Sequence, residues 1–101
     1  MNPVQKRFAA DHGLPEIAVT RIVRIAKFAF EANEHASNGD PHPWQKNKAD
    51  KNANANAWRT TLEGHTRDLL EVIRPYGFTD VVYTGLGPTL KKGEAFVEVP
   101  Y

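Results

Sequence analysis

The chain reads as an α+β domain: two main helices forming a hairpin-like pair, a short N-terminal helix, and a C-terminal two-stranded antiparallel β-hairpin. Three observations predict this. Apolar residues recur at helical spacing from Ile17 to Phe30 and again from Trp58 to Ile73. A polar, turn-rich joint, Ser37 to Asn56, separates those two segments. Beyond Pro75 the pattern changes to short alternating runs, Asp80 to Thr84 and Ala95 to Val99. With 101 residues, one domain spanning 1–101 is expected.

Asn2-Pro3 opens the first helix, with Asn as cap and Pro in the first turn, and Gly13 ends it. The second helix starts at Pro15 and runs to about His35. Its polar arc (Thr20, Arg24, Lys27, Glu31, Glu34) is narrow, so it is apolar around well over half its circumference. One partner helix cannot cover that surface. The sheet and the first helix are expected to wrap part of it and a second subunit the rest, through a symmetric interface including Phe28 or Ile25.

In the joint, Asn38-Gly39-Asp40-Pro41 is turn chemistry, and Pro41 and Pro43 keep His42 extended. Asp50 is a candidate cap for the third helix, although Asn52, Asn54 and Asn56 are poor helix formers and leave a start nearer Asn52 or Asn54 open. Trp58, Leu62, Leu69 and Ile73 then share one face, with His65 and Thr66 in the gap. Gly64 costs about 1 kcal/mol against Ala and suggests close approach to the second helix. Pro75 stops the helix at Arg74. Between the two predicted strands, Gly85 to Gly93 reads as a glycine-rich loop too long for a two-residue turn. The face of Ala95, Val97 and Val99 is expected to pack on the helices.

The composition narrows the chemistry. Net charge is +1, which argues against a general nucleic-acid-coating protein but not against a local basic patch. With no cysteine there is no disulfide, thiol nucleophile or cysteine metal site. No apolar run reaches membrane length and no signal-peptide pattern is present, so a cytoplasmic protein is expected. The four histidines show no metal-ligand spacing, and His65 reads as a packed core residue. Ser37, the one serine, lies in no nucleophile elbow, and neither phosphate-loop glycine pattern occurs. No enzyme, metal or cofactor is expected.

The binding signal is stronger. Lys46, Lys48 and Lys51 surround Trp44, and Lys91-Lys92 follow Thr89. Lysines, amides and an aromatic ring are the parts that hold phosphates and stack bases. The alternative is a solvated loop whose Trp44 plugs the core. If a small anion binds, its pocket is expected where the joint meets the loop before the last strand. Trp44 would wall it, Lys48 and Lys51 would meet phosphate, and Arg59 would clamp it. Thr89 and Lys91 would close it, within one chain or across a dimer seam.

In Asn38-Gly-Asp-Pro-His-Pro43, Tyr83-Thr-Gly-Leu-Gly-Pro-Thr-Leu-Lys91 and Phe96-Val-Glu-Val-Pro-Tyr101, the chain resembles a group of small bacteriophage and prophage proteins. The similarity covers about the last two-thirds of the chain and carries no catalytic residue with it. It implies an accessory factor acting in the host cytoplasm. Two expectations follow. One is a non-enzymatic counter-defence or host-modulating binder that sequesters an anionic small molecule such as a signalling nucleotide. The other is an inhibitor that blocks a host enzyme or a nucleic-acid-processing complex, in the manner of an anti-CRISPR protein.

Overall fold

The structure, a computed structural model, describes residues 1–85 and 87–100. Leu86 and Tyr101, both within the motifs quoted above, lie outside the described residues. The elements run α1 (Pro3–His12), α2 (Glu16–Asn38), α3 (Lys51–Ile73), a 3-10 turn (Arg74–Tyr76), β1 (Asp80–Thr84), β2 (Gly87–Lys92) and β3 (Ala95–Glu98).

Local chemistry sets the helix ends. Asn2 closes a capping box with Gln5, its side chain accepting from the Gln5 N–H while the Gln5 side chain accepts from the Asn2 N–H. Asp50 caps α3 by accepting from Ala53 N–H, so that helix begins at Lys51 despite its asparagines. The α2 helix continues past His35 to Asn38 and ends on Gly39, whose φ of 64° suits glycine. A Cβ at Gly39 would also lie 3.0 Å from the Lys51 Cβ, so the two helix ends meet closely there.

The sheet corrects the two-stranded expectation. It has three antiparallel strands in the order β1-β2-β3. The stretch assigned to a loop is the central strand, pairing Val82 with Thr89 on one side and Thr89 with Glu98 on the other. Pro88 is tolerated because its carbonyl accepts from Val99 N–H. Its missing N–H therefore points toward the end of the short strand β3 and leaves the β1 ladder intact.

Val19, Ile22 and Ala26 of α2 pack with Leu69 and Ile73 of α3 under Val81, Leu90 and Val99, and Phe78, Leu14 and Phe8 close the end. Farther along, Ala29, Ala32 and Ala36 of α2 are buried, small enough to let the helices approach toward the joint. Helix α1, α3 and the sheet thus cover one side of α2. Ile17 and Phe28 stay out, 69% and 51% exposed. His65 is half-buried and stacks on Phe28 with ring centres 6.0 Å apart, at the edge of the helical interface. Gly64 does not serve packing on α2, because a Cβ there would meet nothing within 4 Å. No helix is long and apolar enough to cross a membrane.

Candidate functional site: the tryptophan tip of the joint

The joint is a hydrogen-bonded knot built on His42. Pro41 and Pro43 hold the segment extended, and His42 is buried at 3% exposure while its flanking prolines are exposed. Its Nδ1 accepts the backbone N–H of Trp44 at 3.1 Å, so the ring proton sits on Nε2. Nε2 lies 3.2 Å from Thr61 Oγ1, whose own hydrogen goes to the Ala57 carbonyl. The network therefore assigns the neutral Nε2–H tautomer, with Nε2 donating to Thr61. The His42 carbonyl accepts from Gln45 N–H and from the Lys48 ammonium. The Lys48 carbonyl accepts from Asn54 Nδ2 at 2.9 Å. Asn54 is fully buried, and its Oδ1 has no partner.

Trp58 fastens this knot to the helices. Its Nε1–H donates to the Asp40 carbonyl at 3.0 Å. Its ring stacks on His35 at 4.4 Å between centres and meets His42 edge-on at 4.5 Å. His35 Nδ1 lies 2.8 Å from Asp40 Oδ2. Backbone, aromatic and polar contacts thus converge on residues 35–61.

Trp44 stands outside this knot. It touches His42 edge-on at 4.9 Å, yet it is 78% exposed and does not plug the core. Lys46, Lys51 and Arg59, of the joint and the first turns of α3, are exposed cations. Arg59 donates to the Asn56 side chain at 3.0 Å, and among the described residues none of the three enters an ion pair. The N-terminus of α3 adds partial positive charge at the same end. A Trp that is exposed while the backbone beneath it is pinned is a preorganised contact group.

The expected six-residue pocket separates into two groups. Trp44, Lys48, Lys51 and Arg59 share the joint end. Lys48, however, directs its ammonium inward to the His42 carbonyl. Thr89 is buried in the central strand, 7% exposed, and cannot close on a ligand at the joint. Lys91 pairs with Asp80 and Phe96, and Thr79 N–H donates to its carbonyl, just past the end of α3. Lys51 opens that 23-residue helix, about 33 Å long, and Lys91 lies beyond its other end.

Among the described residues, four clefts of about 260 to 480 Å³ have linings that include neither Trp44 nor a joint lysine. The 480 Å³ cleft, between the end of α2 and the β1–β2 connection, carries Glu34 as its one charge. Among the described residues no cluster of three or more histidine or acidic side chains could hold a metal ion.

No family model, curated protein or solved structure matches this chain.

The observed geometry therefore supplies the functional reading. Sequence pattern named Trp44 and its cations, but missed His42 and Asn54 as the buried residues that hold them. The prolines on both sides of His42 were the available signal. Nothing in composition distinguishes the buried Asn54 from the exposed Asn52 and Asn56.

Proposed function

We propose that this chain is a non-enzymatic interaction protein that docks a partner protein of acidic surface through the Trp44 tip. The observation that carries this is an indole that is 78% exposed on a pinned backbone and lines none of the four clefts described above, in a segment whose exposed Lys46, Lys51 and Arg59 enter no ion pair among the described residues. Trp and Arg lead the residue types that anchor protein interfaces, and a cationic rim speeds encounter with an acidic partner. Small-molecule sites, by contrast, are concave and bury most of their ligand. Together with the resemblance to phage proteins, this favours an accessory factor that occludes a host enzyme or nucleic-acid-processing complex.

One observation favours a second reading, sequestration of a signalling nucleotide. The exposed indole face and nearby Lys46, Lys51 and Arg59 suit a base and its phosphates.

The deciding experiment immobilises wild type, Trp44→Ala and Lys46→Glu/Lys51→Glu protein and passes bacterial extract over each. A thermal-shift panel of mono-, di- and cyclic nucleotides runs in parallel. The protein reading expects a stoichiometric protein held by wild type, lost from both variants, and no nucleotide shift. A nucleotide that raises the melting temperature of wild type but not of Trp44→Ala supports the second reading. Equal retention of every captured protein by wild type and both variants overturns the tip as a docking site.

A further inference from the structure

Among the described residues nothing covers the face of the helical pair turned away from the sheet, and we propose that it is the seam of a two-fold homodimer. This inference stands apart from the Trp44 reading and rests on different residues. On α2, Ile17, Arg21, Arg24, Ile25 and Phe28 follow steps of three and four on the side opposite Val19 and Ala26. On α3, Gly64, Asp68, Glu71 and Val72 do the same.

Two neighbouring clefts, about 390 and 340 Å³, run between these rows. The second is lined by Arg21, Arg24 and Ile25 on one bank and by Asp68, Glu71 and Val72 on the other. The basic and acidic banks face each other across an apolar floor, yet among the described residues no ion pair joins them. The cleft is thus matched to an occupant with an acidic bank over the arginines and a basic bank over the carboxylates.

A second copy is such an occupant. A two-fold axis in the seam, parallel to the helices, lays α2 of one chain over α3 of its partner at the same level. Arg21 and Arg24 then meet Asp68 and Glu71 of the other chain, twice over. An axis across the helices would instead oppose arginine to arginine. The first arrangement is a four-helix layer with a sheet on each outer side, the isologous interface common in small oligomers. Ile17 and Phe28, exposed in the single chain, become covered.

Gly64 supports the same seam. It costs helix propensity, it faces open space in its own chain, and it lies one turn from Asp68 on this face. A glycine there lets a facing helix approach. The whole face is about 34 Å long and two helices, about 20 Å, wide, so up to roughly 700 Å² per chain is available, of which the rows from Ile17 to Phe28 span about half.

The test is sedimentation equilibrium at micromolar concentrations with charge-swapped variants. Wild type is expected at twice 11.3 kDa. Arg21→Glu/Arg24→Glu and Asp68→Lys/Glu71→Lys are each expected to be monomers. Mixed together, they are expected to form a heterodimer, because one contact is attractive with its charges exchanged and the other is the wild-type pairing. A misfolded variant could not give that recovery. Gly64→Gln supplies a second check. It improves helix propensity without a clash in its own chain, so the melting temperature of the monomer should hold or rise while dimer affinity falls at least tenfold. A monomeric wild type overturns the proposal. So does a dimer that survives every substitution, for instance one that responds only to Phe96→Ser on the outer sheet face.

Discussion

Two residues apart in the sequence, His42 and Trp44 should respond oppositely to truncation. His42→Ala removes the acceptor for Trp44 N–H and the donor to Thr61 Oγ1. Each such bond contributes about 1 kcal/mol net. The edge-on contact with Trp58 adds about 1 kcal/mol. The loss is therefore about 3 kcal/mol. For a domain of this size that lowers Tm by about 12–24 °C. Trp44→Ala removes the larger side chain but an exposed one, so it should cost less than about 0.5 kcal/mol and move Tm by less than about 4 °C. Urea unfolding followed by circular dichroism at fixed pH measures both. Equal losses, or a larger loss for Trp44→Ala, would refute the assignment of His42 as the buried keystone and Trp44 as the free contact group.

Other expectations follow from the same contacts. Trp58→Phe keeps an aromatic ring but loses the Nε1–H bond to Asp40, so stability should fall by about 1–2 kcal/mol in urea melts. Asn54→Asp puts a carboxylate beside the Lys48 carbonyl in a fully buried site. It should cost at least about 2 kcal/mol at neutral pH and less in acid, where a protonated carboxyl can donate as Nδ2–H does. Burial raises the Tyr83 phenol above its ordinary value of 10, outweighing its hydrogen bond with Thr66. The unfolded chain ionises first, so this contribution is intact below pH 10 and is lost as pH rises from there through the folded value. Tyr83→Phe should show a shallower stability loss than wild type across that alkaline range.

Elements whose signal is local were readable from the chain. Asn2, Asp50, Gly13 and Pro75 each act within a few residues: the first helix ends where expected, Asp50 decides a third-helix start that the sequence left open, and that helix stops at Ile73, one residue short of the expected Arg74. The central strand was hidden because Gly87 and Pro88 carry turn chemistry. What overrides it is tertiary pairing on both sides, with Pro88 set where its missing N–H faces a strand end. That misreading displaced the expected pocket: Thr89 and Lys91 belong to the sheet, at a distance from the joint that no local pattern encodes. The joint cations were readable as a charge run. Whether Lys48 points out or in depended on a carbonyl brought beneath it by the fold of residues 42–48.

The central claim is that an ordered joint holds Trp44 out as the contact group. The difference in emission between wild type and Trp44→Ala isolates Trp44 with Trp58 left in place, and acrylamide quenching of that difference tests the claim most directly. In the free protein Trp44 should be quenched nearly as readily as a tryptophan amide in water. With the captured partner protein bound, its quenching constant should fall several-fold. A Trp44 already shielded in the free protein, or one equally quenched in the complex, would contradict the account.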